Sequence, residues 1–261
     1  MTTIVVAADD FGLCAEINDA ICLLHDRRIV RRTSVLSNSS LFEASVDALR
    51  LRPALEIALH LNLTDGQPIS SATDVPSLLN GCGCFHGGHG DVIARIVTGR
   101  MNRREIHREW RAQIAKVRSA GLNIRQLNGH GHLHLLPHLH GVVLDLLREF
   151  DIPDVRLVRS LDSPRGVVLN LCSLELMRRL KRSGLRFVCP DRTLGLRHPG
   201  AVDRRIRLDD LALGDGAMVE LIVHPSKGAN DYHSRWGYAS AEVMNWLLTD
   251  VEQSLQRTSA R

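Results

Sequence analysis

The sequence predicts an α/β fold: a (β/α) barrel of about seven parallel strands, resembling the eight-stranded parallel type rather than an open doubly wound sheet. Three observations carry that expectation. Short apolar runs alternate with amphipathic stretches along the whole chain. No glycine-rich phosphate or dinucleotide loop follows the first run. Asp9, Asp10, His60, His130 and His224 each fall at or just past the end of an apolar run. In a parallel barrel the carboxyl ends of the strands share one rim, so these separated positions converge on one mouth.

Residues 4–8, Ile-Val-Val-Ala-Ala, read as a fully buried strand because they are apolar without alternation. Residues 16–26 follow as an amphipathic helix, with Ile17, Ala20, Ile21 and Leu24 on one side. A strand at 33–36 leads to a helix at 41–51. A strand at 56–63 leads through a long glycine-rich excursion to a helix at 103–120. Strands at 125–128, 155–158, 186–189 and 217–223 continue the alternation, with helices at 137–150, 169–182 and 240–256. No internal repeat, low-complexity tract or linker divides the chain, so residues 1–261 are read as a single domain.

At 261 residues and 44% hydrophobic content the chain is long enough for one large core. Its start carries no basic leader, and no later run reaches membrane-spanning length, so a soluble cytoplasmic protein without a membrane span is expected. Six scattered cysteines then read as reduced thiols. Cys82 and Cys84, with His86 and His89, carry metal-binding side chains, but their spacing departs from the usual two-residue cysteine pair. Glycines at 81, 83, 87, 88 and 90 make residues 80–90 a mobile flap over the site. The net charge of +4 comes almost wholly from arginine, in pairs at 27–28, 31–32, 103–104, 178–179 and 204–205. Each pair lies near acids in or beside a helical stretch, which reads as solvated helix faces and not as a nucleic-acid surface. A homodimer is compatible with the sequence.

Successive strand residues point to opposite sides, so Asp9 and Asp10 suit different roles unless the chain has begun to turn: one ligates an ion, its neighbour takes a proton from water. Ile57, Leu59, Leu61 and Leu63 share one strand face, leaving Ala58, His60, Asn62 and Thr64 on the other. His130, His132 and His134 would share a side if their strand continued, and spacing alone does not choose the ligand among them. Gly129 and Gly131 permit close approach of an ion or substrate. His138 and His140 begin the next helix, facing solvent or substrate. Pro225 holds His224 at its strand boundary, where an imidazolium could protonate a leaving amine or stabilise an oxyanion. Imidazole with carboxylate suits zinc, manganese, iron or magnesium. A helix cap at Asp9 and Asp10, a core histidine at His60 or a strand-end histidine at His224 would each explain one position alone.

Four blocks together resemble the YdjC-like carbohydrate deacetylase family: Ala8-Asp9-Asp10-Phe11-Gly12-Leu13 with Asn18 and Ala20; Leu59-His60-Leu61-Asn62-Leu63-Thr64 with Gly66 and Pro68; Gly129-His130-Gly131-His132-Leu133-His134-Leu135-Leu136-Pro137; and Glu220 with His224-Pro225. The resemblance implies a deformed TIM-like barrel with one divalent ion, magnesium or zinc, held by Asp10, His60 and His130. It implies Asp9 as catalytic base and His224 as acid. Asn128 stands where chitooligosaccharide deacetylases of the family usually carry aspartate, which turns the expected substrate away from chitin fragments. The expected reaction is metal-dependent removal of an N-acetyl group from an amino sugar or glycoconjugate. Asn38, Asn62, His132, His134, Asp191 and Arg192 are candidate substrate contacts. A metal-dependent phosphoesterase and a non-catalytic metal- or sugar-binding barrel are the alternatives.

Overall fold

The first apolar run becomes β1 (Thr3–Phe11), which is buried from Val5 onward and carries Asp9 and Asp10 within the strand itself. The computed structural model describes residues 2–197 and 216–259; the arginine pair at 204–205 lies outside the described residues. The chain then alternates α1 (Ala15–Asp26), β2 (Arg32–Val35), α2 (Phe42–Arg50) and β3 (Glu56–Leu61). After the glycine-rich excursion come α3 (His89–Val97), α4 (Arg103–Ser119), β4 (Ile124–Gly129), α5 (His140–Glu149) and α6 (Pro164–Arg182). The last elements are β5 (Arg192–Leu194), β6 (Met218–Val223), α7 (Asp231–Arg235) and α8 (Ser240–Trp246), extended through a π-helical turn at Leu247–Val251 into α9 (Glu252–Ser259).

The strands form one sheet in the order β4-β3-β2-β1-β6-β5, every neighbouring pair parallel. Its two edges are joined by residues 154–159. Leu127 N–H donates to Asp154 O at 2.9 Å, Arg156 N–H to Leu127 O at 2.8 Å, and Thr193 N–H to Arg159 O at 2.7 Å. This seam closes the sheet into a deformed barrel. The expected seventh strand at 155–158 is therefore present as an irregular closing segment, with a parallel bridge only at Val155 to Leu127.

Two expectations about elements are corrected. Residues 186–189 form no strand; Val188 N–H instead bonds to the side chain of Asp154 at 2.8 Å, and the strand begins at Arg192. The excursion after β3 also contains α3, whose Val92 and Ile96 are buried in the core.

The helices cover the outside with apolar faces. Ile17, Ala20, Ile21 and Leu24 of α1 and Ile106, Trp110, Ile114 and Val117 of α4 are all buried. Inside the ring the chemistry is different. Ser34 on β2 accepts from Asn128 on β4 at 2.7 Å, and Arg156 from the seam reaches Asp9 on β1. Side chains from non-neighbouring strands meet this way only across the concave interior, so the barrel interior holds a polar network in place of the usual branched aliphatic layers.

Candidate metal centre and catalytic pocket

Asp10 departs from the strand it belongs to. Its φ is +74°, and the β1–β2 register shifts between Ala8 and Phe11. This is a bulge with a non-glycine residue in the left-handed region, a strained arrangement that re-aims side chains at functional sites. Asp10 thereby faces the histidines while Asp9 faces the barrel interior. The chain has begun to turn here, yet the two carboxylates still meet different partners, Asp9 the Arg156 guanidinium and Asp10 the imidazoles.

Among the described residues, Asp10, His60 and His130 are the one group of metal-donor side chains whose ligand atoms all lie within 4.8 Å of one another. His60 Nε2 stands 3.4 Å and His130 Nδ1 3.2 Å from Asp10 Oδ1, and the two nitrogens are 3.2 Å apart. Donors held about 2.1 Å from one zinc ion in a tetrahedron sit roughly 3.4 Å from each other, so the spacing fits a divalent cation. Both Asp10 oxygens are buried and lack a well-formed hydrogen bond. The neighbouring imidazoles hold its carboxyl well below the usual range against the opposing effect of burial. Burial alone would depress His130, yet the carboxylates of Asp10 and Asp65 raise it to about 10. The cluster selects a positive charge.

His60 Nδ1 lies 2.6 Å from Asn128 Oδ1. With that oxygen accepting, the proton sits on Nδ1 and Nε2 is free for an ion. The opposite amide orientation would donate to Nδ1 and place the oxygen near Ser34 Oγ and Arg156 Nη1. It would also put the proton on Nε2, so a metal ion bound there would select the first arrangement.

Asp9 is clasped by Arg156, whose Nη1 donates to Oδ2 at 2.7 Å and Nη2 to Oδ1 at 3.0 Å; Ser34 Oγ donates to Oδ1 at 2.5 Å. Burial would raise the Asp9 carboxyl, but the Arg156 guanidinium overcomes this and holds it far below the usual range. Arg156 is fully buried and also donates through Nε to Glu220 at 3.1 Å. Sequence reading missed this arginine. His224 stands after β6, with Nε2 4.0 Å from Asp10 Oδ2, and burial pushes it down to about 4. His233, on α7, was missed as well: its Nε2 is 3.6 Å from the same oxygen and its Nδ1 meets Ser240 Oγ at 2.5 Å.

These groups open onto a cavity of about 840 Å³ lined by Asp9, His60, His130, His132 and His224. Trp236 and Tyr238 contribute aromatic wall, packed against His130 and His224 at ring distances of 5.0 Å each. Ile93, Leu136, Val168, Leu169 and Leu196 make much of the rest apolar, and Arg165 is its one lining arginine among the described residues. Residues 80–90 lead into α3, which sets His89 against the His130 ring at 4.9 Å.

Other candidates sit differently. The strand does not continue past Gly129: Gly131 and His132 have φ of +62° and +63°, which breaks the common side expected for His130, His132 and His134. His132 lines the cavity, but His134 lies beneath it, with Nε2 2.9 Å from Arg156 O. His140 is buried against Leu135 O and faces neither solvent nor cavity. Asn38 and Asn62 bond to each other and to the 62–67 turn, outside the cavity lining. Because β5 starts at Arg192, Asp191 and Arg192 stand at the amino end of the strands, opposite the site. There Asp191 accepts from Met218 N–H and Arg192 faces Asp162. They are not contacts of this pocket.

Fold and site together define a (β/α)-barrel protein with a buried Asp-His-His group at the carboxyl rim that could hold a metal ion. A model of the YdjC-like protein family matches residues 3–255, and the chain belongs to that family. Among curated relatives, a carbohydrate deacetylase of Brevibacillus brevis is 35% identical over 150 residues, 58% of this chain and 57% of the relative. The chain thus spans less than two thirds of that relative's length. A carbohydrate deacetylase of Danio rerio is 30% identical over 243 residues, covering 87% of this chain and 76% of the relative. One from Enterococcus faecalis is 27% identical over 257 residues, covering 95% and 90%. A crystal structure from Enterococcus faecalis V583, described in terms of cellobiose-phosphate cleavage, superposes with a TM-score of 0.72 at 23% identity, covering 98% of this chain and 94% of that one. That likeness is one of fold.

Proposed function

We propose that this protein is a metal-dependent deacetylase that hydrolyses the N-acetyl group of an amino sugar or glycoconjugate, releasing acetate and a free amine. The observation that carries the reading is the convergence of Asp10, His60 and His130 beside a cavity that Asp9 and His224 also line. Similarity to proteins named carbohydrate deacetylase supports the reaction class.

Asp10, His60 and His130 would hold one divalent ion, magnesium or zinc. When bound, it supplies Lewis acidity toward the amide carbonyl and makes water more acidic. Asp9 accepts the proton of the attacking water as a C–O bond forms. Arg156 keeps Asp9 ionised and fixed in place, and makes it a weak base, so the proton is held only briefly. His224, neutral near pH 7, must gain a proton during turnover before it can give one to the nitrogen as the C–N bond breaks. His132, which lines the cavity, contacts the sugar, and the 80–90 segment covers it. The whole chain works as one catalytic barrel in the cytoplasm.

A phosphoesterase would want a second metal or a converging basic clamp. Acetate release from a panel of acetylated amino sugars, run beside an aryl phosphate with and without chelator, tests the reading. Chelator-sensitive acetate release supports it. Phosphate release alone, or no release of either product, overturns it.

A further inference from the structure

The two histidine ligands are backed by groups of different charge. His60 meets the neutral amide of Asn128, whereas His130 turns Nε2 toward the carboxylate of Asp65, 3.4 Å from Oδ2, and that buried nitrogen has no other polar partner among the described residues and no well-formed hydrogen bond. Asp65 sits in a turn held from several sides. Gln113 Oε1 accepts from Asn62 N–H at 2.9 Å and its Nε2 donates to Asn62 O at 2.8 Å. The carboxylate of Glu109 accepts from Ile69 N–H at 3.0 Å and Ser70 N–H at 2.8 Å. Glu109 and Gln113 are both fully buried, so the turn is anchored in the core rather than laid on the surface. Thr64 Oγ1 then donates to Asp65 Oδ2 at 2.6 Å, fixing the direction of the carboxylate.

We propose that Asp65 is a positioning residue of the metal centre, accepting the Nε2 proton of His130 so that Nδ1 stays bare and aimed at the point shared with Asp10 and His60. The inference rests on the metal-centre reading above. A histidine that ligates through one nitrogen keeps a proton on the other, and a carboxylate there fixes the ring and strengthens the ligating nitrogen. The turn is already stapled by Asn38, Asn62, Glu109 and Gln113 through backbone groups. None of those bonds needs a charge at position 65.

Zinc affinity, measured on the full chain by competition with a chromogenic chelator, tests this in the wild type, Asp65→Asn, Asp65→Ala and Asp10→Ala. Both Asp65 variants are expected to lose on the order of 10- to 100-fold in affinity while keeping a folded circular-dichroism spectrum. A merely structural Asp65 would lower the unfolding temperature and leave affinity within about two-fold, which overturns the inference. Should Asp65→Ala fail to fold, Asp65→Asn decides, since it retains an acceptor for Thr64. A wild type that binds zinc no better than Asp10→Ala overturns the metal-centre reading itself. Tight wild-type binding matched by Asp65→Asn overturns only the role of Asp65.

Discussion

Arg156 grips both carboxylate oxygens of Asp9 from the opposite wall of the barrel, at 2.7 and 3.0 Å, and donates its Nε–H to Glu220. One buried cation thus serves two buried anions. Arg156→Met leaves the Asp9 carboxylate without its cation, while Glu220 keeps Arg32 at 3.6 Å, and is expected to cost about 3–5 kcal/mol, read by urea unfolding. Arg156→Lys keeps the charge but cannot form the bidentate fork, so turnover should fall more than stability. An Arg156→Met protein as stable as wild type would show that the triad carries no net stabilisation.

Asp9→Asn should fold, bind zinc as wild type does, and lose on the order of 10²–10⁴ in kcat, because the amide keeps the shape and loses the proton acceptor. Full turnover in this variant removes Asp9 from the base role.

Removing the ion should cost stability as well as activity, since a ligand bound only by the folded state stabilises it in proportion to its affinity. Dialysis against chelator should lower the wild-type unfolding temperature and leave that of His130→Ala nearly unmoved. Equal shifts in both proteins would place the bound metal elsewhere.

Asp154 provides a pH signature away from the site. Burial pushes its carboxyl up from 3.8 to about 6, against the Val188 N–H and Gln126 amide that favour its ionised form. Below the lower value both folded and unfolded chains are protonated and Asp154 has no effect. As pH rises from about 4 to 6 the folded state holds more proton than the unfolded one, so stability falls and then levels off, by about 3 kcal/mol. Asp154→Asn should therefore be more stable than wild type at pH 7, with the gap closing towards pH 4 in urea titrations. A gap that does not change with pH rejects the assignment.

Gly131→Ala should disturb the loop that carries His130. A Cβ there would stand 1.9 Å from the His89 ring at a φ of +62°. A loss of about 1–3 kcal/mol together with weakened metal binding is expected. A neutral substitution would mean that His89 moves freely.

The alternation of elements was legible because α1, β3 and α4 each carry enough residues to show their period and β1 opens on an unbroken apolar run. β5 has three residues and no period; its pairing is set by β6, and the Phe187-Val188-Cys189 run before it drew the assignment instead. His130 was singled out from His132 and His134 only by the family resemblance, whereas Asp10 and His60 were legible because each stands at or near a strand's end. Arg156 was not, since its partners Asp9 and Glu220 lie 147 and 64 positions away and nothing local marks one arginine as buried. His233, Trp236 and Tyr238 arrive on and just after α7, with no strand end to announce them.

Residues 154–159, the stretch that completes the ring, are joined to their neighbours by isolated backbone bonds where the other walls have continuous ladders. Arg156 stands in this stretch, so any breathing of the wall there would pull the guanidinium away from Asp9 and leave that carboxylate free to take up a proton. Amide exchange at Leu127 and Thr193, set against the pH dependence of turnover, would then follow one and the same opening.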